Sequence, residues 1–176
     1  MVTLVEETGA GLPDANTYCG LSRADAYYAA HPFYADAWEA LPVDVRNVLL
    51  AAATSTLDGQ YLWHGRRATA GQALDWPRCL VRDLYDQLLP HTELPQRLRS
   101  ATAEMAYWLT KGDRSPEAQT SSQLDSLRLD VIELNFAAGS ARTTAGTQPV
   151  PTVVRGLLRG LGVYQYGSRT RRVVVG

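Results

Sequence analysis

Five side chains that lie close together in the sequence have the chemistry needed to hold a nucleic-acid strand. Trp63 and Trp76 offer flat rings on which bases could stack, and Arg66, Arg67 and Arg78 could contact phosphates. Three glycines and a Trp-Pro step interrupt the same stretch, so most of it is predicted to be loop rather than regular helix. This stretch is therefore the first candidate for a binding site.

A second interpretation makes the same stretch, residues 58–78, a structural loop. Large apolar side chains are expensive to leave in water, so the aromatic loop must be held against something. The predicted anchors on the helical body are Tyr61, Trp63, Leu74 and Trp76. In this interpretation the arginines cap helix ends or pair with Asp58 and Asp75.

Charge is distributed unevenly along the chain. The net charge is −1, yet residues 134–176 hold six arginines and no acidic residue. All 18 acidic residues lie before that region. A protein whose main task is to bind DNA usually shows a basic domain, so the acidic body favours the structural interpretation of the loop. The basic C-terminal region predicts an arm that docks on an acidic surface or on nucleic acid.

Motifs for catalysis and for metal binding are not found in the sequence. The two cysteines, Cys19 and Cys79, are far apart, and the three histidines are not spaced as metal ligands. Phosphate-binding glycine loops and nucleophile elbows are also missing. We therefore expect no enzyme activity, no cofactor and no metal. No apolar run approaches the roughly 18 residues that a membrane-spanning helix needs.

Apolar periodicity predicts two long helices. The first, at about 43–57, carries one apolar face, and the second, at about 95–111, carries an a/d-type seam. The predicted face of the first helix consists of Val45, Val48, Leu49, Ala52 and Thr56. The predicted seam of the second consists of Leu94, Leu98, Ala101, Met105 and Trp108. A third helix is expected at about 152–161.

The β-prone residues 163–175 show no obvious partner within the chain, so they could add a strand to another protein's sheet.

These elements predict a mainly α fold: a small helical bundle with a β-hairpin or extended segment and a C-terminal arm. The expected divisions are a helical body at 1–111, the hairpin or extended segment with a linker at 112–149, and the C-terminal helix and docking arm at 150–176.

Several motifs resemble, in order, a family of tailed-phage proteins. They include Ala24-Asp-Ala-Tyr-Tyr28, Leu57-Asp-Gly-Gln-Tyr61 and Gln72-Ala-Leu-Asp-Trp-Pro-Arg78. The resemblance covers about residues 5–110. The family is often labelled "putative DnaT-like single-stranded DNA-binding protein", and its setting is similar to that of head-to-tail connector, or adaptor, proteins.

The resemblance implies a structural virion protein at the head–tail interface, assembled in the host cytoplasm. Such an adaptor forms a ring, typically of twelve copies, under the portal, and DNA passes through without sequence-specific binding. The implied partners are the portal protein, a tail-side connector or stopper, and other copies of the chain. Arg66, Arg67 and Arg78 then become candidates for contacts between neighbours in the ring. The candidates for docking on the portal are Tyr164, Tyr166, Arg169, Arg171, Arg172, Val173, Val174 and Val175.

The alternative function is single-stranded DNA binding in phage replication or packaging. It would use the stacking and phosphate-binding residues of the aromatic loop, namely Trp63, Trp76, Arg66, Arg67 and Arg78.

Overall fold

The computed structural model describes residues 3–31, 33–111 and 150–165. The helices in this part of the chain are α1 (Leu21–Ala29), α2 (Ala35–Glu39), α3 (Val43–Gln60), α4 (Gln96–Leu109) and α5 (Thr152–Leu157). The strands are β1 (Tyr61–Trp63), β2 (Arg66–Arg67), β3 (Arg78–Cys79) and β4 (Gly162–Tyr164).

Helix α4 lies at the centre and packs against α1, α3 and α5. Its predicted seam is confirmed, because Leu98, Ala101 and Met105 are fully buried. Burial extends around most of the helix and includes Glu104, whose carboxylate accepts hydrogen bonds from the Tyr27 hydroxyl (2.9 Å) and the Trp108 indole (3.1 Å). A helix buried on most sides is the expected core of a domain this small.

Helix α3 buries a different face from the predicted one. Val45 and Val48 are 41% and 47% exposed, whereas Leu50, Ala53 and Leu57 are fully buried. Both sets follow helical spacing, since α3 is apolar on two sides, and spacing alone could not decide which side faces the core. The predicted packing face of this helix is therefore wrong.

Two small antiparallel sheets complete the described fold. One pairs β1 with β4, with Tyr61 opposite Tyr164 and Trp63 opposite Gly162; the other pairs β2 with β3. A Cβ at Gly162 would lie 2.9 Å from the Leu62 carbonyl oxygen, so only glycine permits this close approach. The expectation that the chain offers no partner for residues 163 and beyond is wrong for β4.

The fold is thus a small mixed domain in which helices predominate over two small sheets. Residues 150–165 share one hydrophobic core with the part of the chain before residue 111, through Val150, Val154 and Leu158. The predicted hairpin or extended segment at 112–149 lies outside the described residues, as does the predicted arm beyond residue 165.

Candidate nucleic-acid interface

The aromatic side chains of the 58–78 loop lie in the core. Trp76 is fully buried, and Tyr61 and Trp63 are only 7% and 4% exposed. Trp63 stacks on Tyr61 at 4.9 Å between ring centroids and meets Trp76 edge-on at 6.0 Å. Leu74 packs against the same cluster. Because their faces are covered by one another, these tryptophans cannot serve as open platforms for bases.

A buried carboxylate organises the polar side of this cluster. Asp58, near the end of α3, accepts hydrogen bonds from the Tyr18 hydroxyl (2.7 Å) and from the Trp63 indole (3.0 Å). The Tyr18 hydroxyl in turn accepts a bond from the Trp76 backbone N–H at 3.1 Å. Asp58 therefore joins the N-terminal loop, α3 and β1. The predicted pairing of Asp58 with an arginine of the loop is wrong.

This arrangement predicts a pH-dependent stability. Burial raises the pKa of Asp58 to about 6, against the hydrogen bond from Tyr18, which lowers it. A raised carboxyl pKa means that the folded state holds a proton that the unfolded state releases between about pH 4 and 6. The free energy of unfolding should therefore fall as pH rises through that window, by at most about 3 kcal/mol.

The pH prediction is checked by urea unfolding of the wild type and of Asp58→Asn at several pH values between 4 and 7. The asparagine variant lacks the titrating group, so the stability difference between the two proteins should change through the window and level off above it. A difference that is constant with pH would contradict the assignment.

The three arginines of the loop have different environments. Arg78 donates to three backbone carbonyls, of His64 (2.7 Å), Gly65 (2.9 Å) and Asp75 (3.1 Å). Arg67 donates to the carbonyl of Gln72. Arg66 is exposed, and its side chain makes no hydrogen bond or ion pair with the described residues. The predicted helix capping and pairing with Asp75 are wrong, because Arg67 and Arg78 hold the loop's own backbone instead and Arg66 is exposed.

A different surface combines basic side chains with accessible backbone. It is a groove of about 430 Å³ between α5, the turn after it and the β1–β4 sheet, here called the basic groove. Among the described residues, its charged lining residues are Arg155 and Arg159, and none of those that line it is acidic. The remaining lining residues are Tyr61, Thr152, Gly156, Leu158, Gly160, Gly162 and Tyr164.

The two arginines of the basic groove are held differently. Arg155 lies over the Tyr164 ring, 5.3 Å from its centroid, and donates to the Thr152 hydroxyl at 3.0 Å. Arg159 is exposed, and its guanidinium makes no hydrogen bond or ion pair within the described part of the chain. One arginine is thus pre-positioned by an aromatic face, and the other is available to an anion.

One glycine of the basic groove leaves its backbone accessible. A Cβ added at Gly156 would meet nothing within 4 Å, so the backbone there can be approached closely. Gly160 has a φ of +88°, which ends the α5 turn in a conformation that other residues rarely adopt. Burial raises the pKa of Tyr61 to about 12, so its phenol stays neutral at ordinary pH. Within the described part of the chain, the residues that line the groove therefore carry positive charge only.

Sequence reasoning did not nominate Arg155 and Arg159 as site residues. Their signal was present in the charge balance, since both belong to the acid-free region 134–176. Of the proposed docking residues, Tyr164 lies in β4 and pairs with Tyr61. The others lie outside the described residues: Tyr166, Arg169, Arg171, Arg172, Val173, Val174 and Val175.

Across residues 3–31, 33–111 and 150–165, no cluster of three histidine, cysteine or acidic side chains could hold a metal ion. None of the helices described above is long and apolar enough to cross a membrane.

Comparison with known families decides between the two functions that the sequence suggested. A family model described as "Putative DnaT-like ssDNA binding protein" matches residues 2–175. The chain belongs to this family. No curated relative and no solved structure matches it.

The family match overturns the expected role as a head-to-tail connector. The predictions of a ring, a portal partner and a tail-side partner are wrong. The family model that matches nearly the whole chain is described by single-stranded DNA binding instead. The motifs behind the connector resemblance include Tyr28, Asp58 and Trp76, which bury side chains or hold the core together. A match at such residues indicates a shared fold, and it does not indicate that the chain assembles into a ring.

Proposed function

We propose that the protein binds single-stranded DNA in the basic groove. The observation that carries this proposal is a groove lined by Arg155 and Arg159, with no acidic lining residue and with glycine backbone at its floor. Grooves of this kind follow the phosphate backbone of a single strand without reading its sequence. The description of the matched family supports the same ligand. No catalytic step is part of the proposal.

The basic groove fits the ligand better than the 58–78 loop does. In the loop the tryptophan faces are buried, and Arg67 and Arg78 are committed to backbone carbonyls. The groove instead keeps Arg159 exposed. A single strand needs phosphate contacts along an accessible track. Within the described residues, the groove combines two arginines with the accessible backbone of Gly156.

The sequence that follows β4 strengthens the positive charge of this region. Residues 166–176 contribute Arg169, Arg171 and Arg172 and no acidic residue. The acidic body then does not conflict with DNA binding, since the charge that meets the strand belongs to the end of the chain.

The proposal predicts a specific salt dependence. An oligonucleotide of thymidines should bind the full chain with an affinity that falls as salt rises, and Arg159→Ala should weaken binding. For a single strand, each lost phosphate contact reduces the magnitude of the negative slope of log K against log salt by about 0.7. Fluorescence anisotropy with a labelled oligonucleotide at several salt concentrations measures both quantities.

Arg66→Ala is the matched control for that experiment. It also removes one exposed arginine that makes no side-chain bond among the described residues, but it lies outside the basic groove. Its affinity and slope should stay close to those of the wild type. If Arg66→Ala weakens binding and Arg159→Ala does not, the strand lies on the loop, and the groove assignment is wrong. Absence of binding by the wild type would contradict the function itself.

A further inference from the structure

A second depression continues from the basic groove. Its volume is about 310 Å³, and Arg159 lines both depressions. Here the other basic residue is Arg97 near the start of α4, and the aromatic residue is Tyr85. Tyr85 is 77% exposed, which is unusual for a large aromatic side chain beside a pocket. Arg159 therefore lines both the basic groove and the depression that Tyr85 lines.

The turn that carries Tyr85 is tightly bonded. The Asp83 carboxylate accepts hydrogen bonds from the backbone N–H groups of Tyr85 (2.8 Å) and Gln87 (2.9 Å). Arg82 donates to the Asp86 carbonyl at 2.6 Å, and a β-bridge joins Arg82 to Leu88. The turn is thus ordered before any ligand arrives, and binding through it requires little further loss of entropy.

The turn is also fixed against the groove. A Cβ at Gly160 would lie 3.0 Å from the Leu84 side chain, so Leu84 packs against the turn that follows α5. The acidic residue that lines this depression is Asp83, and one of its carboxylate oxygens is already engaged by the two N–H groups of the turn. With Arg97 and Arg159 against Asp83, the charged residues that line the depression have a net positive charge. The depression therefore suits a polyanion that also presents flat rings.

We infer that Tyr85 is a base-stacking residue for a single strand of DNA held by Arg159 and Arg97. This inference rests on the proposed function and adds a residue that the comparisons do not assign. Stacking on an exposed aromatic ring tolerates any base, because every base has a π face. It complements the arginines, which bind phosphate and contribute salt dependence.

The test measures binding of a labelled thymidine oligonucleotide to full-length variants at several salt concentrations. Tyr85→Ala should weaken binding by about 5- to 150-fold, the range of one lost stacking contact. The salt slope should stay unchanged, because no charge is removed. Tyr85→Phe keeps the ring and should bind almost as tightly as the wild type. Tyr85→Trp should add a fluorescence signal that the oligonucleotide quenches.

Leu88→Ala is the matched control. Leu88 is exposed on the same turn but does not line the depression, so its replacement should leave affinity unchanged. If the wild type binds DNA and Tyr85→Ala binds equally well, the stacking role is wrong while the proposed function stands. If the wild type does not bind DNA, the proposed function fails and the stacking role fails with it.

Discussion

Replacing Trp76 with alanine is expected to lower the free energy of unfolding by about 3–5 kcal/mol. The indole is fully buried and meets Trp63 edge-on at 6.0 Å, so its removal leaves a large cavity in the core. The same residue's backbone N–H donates to the Tyr18 hydroxyl, which holds Asp58. Relaxation around the cavity would disturb that polar group as well.

Urea unfolding followed by circular dichroism measures the loss. Trp76→Phe should be milder than Trp76→Ala, because it keeps an aromatic ring and removes an indole N–H that has no partner among the described residues. Phe33→Ala serves as the control, since Phe33 is 87% exposed and its loss should change stability by no more than about 0.5 kcal/mol. Equal effects at the two positions would show that Trp76 is not a core residue.

This result would also separate stability from DNA binding. A buried tryptophan can affect DNA affinity only through the fold, so weaker binding by Trp76→Ala should vanish once the fraction of folded protein is taken into account. Tyr85→Ala should behave in the opposite way, with an intact fold and a weaker complex. The two aromatic residues thus distinguish a ring that holds the core from a ring that meets a ligand.

Local pattern predicted α3, α4 and α5, because helix formation depends on neighbours three and four residues apart, but it did not predict α2. The seam of α4 at Leu98, Ala101 and Met105 was readable in this way. The packing face of α3 was not, since Val45, Val48 and Leu50 all have apolar side chains. Only the shape of the partner surface determined that Leu50 faces inward.

The spacing of apolar residues along the sequence could not predict contacts between distant segments. The pairing of Tyr61 with Tyr164 joins two strands that are far apart in the sequence, and nothing local in either strand indicates the other. The role of Asp58 was missed for a similar reason. Its hydrogen-bond partner Tyr18 lies in the N-terminal loop, whereas the nearby arginines suggested an ion pair that the fold does not make.

The candidate interface was visible in the sequence only as an imbalance of charge. An acid-free region with six arginines indicated an anionic partner, but it could not place Arg155 and Arg159 in one groove. The motif that looked functional, the aromatic loop, became structural because its rings bury one another. Aromatic residues serve equally well as core and as stacking platforms, and exposure alone separates the two uses.

The N-terminal loop contains a second site where a single replacement should be severe. The Glu7 carboxylate is fully buried and accepts hydrogen bonds from three backbone N–H groups. These donors are Gly9 at 2.8 Å, Gly11 at 3.0 Å and Leu12 at 2.7 Å. One carboxylate therefore accepts the hydrogen bonds of three backbone N–H groups that have no partner in a helix or strand.

Glu7→Ala should lower the free energy of unfolding by about 3–5 kcal/mol, because each buried donor left without a partner costs about 1–3 kcal/mol and water can reach some of them. Glu7→Gln should lose less, since it keeps an acceptor for two of the three donors but turns an amide N–H toward the third. Urea unfolding of both variants measures the difference.

Glu6→Ala is the matched control, because Glu6 is the adjacent residue of the same type. Its carboxylate pairs with Arg23 at 2.8 Å near the surface, where an ion pair contributes no more than about 1 kcal/mol. A large loss at Glu7 beside a small loss at Glu6 would show that the stabilising effect comes from bonding the backbone rather than from negative charge. Similar losses at both positions would contradict that view and point to a general electrostatic role for the N-terminal acids.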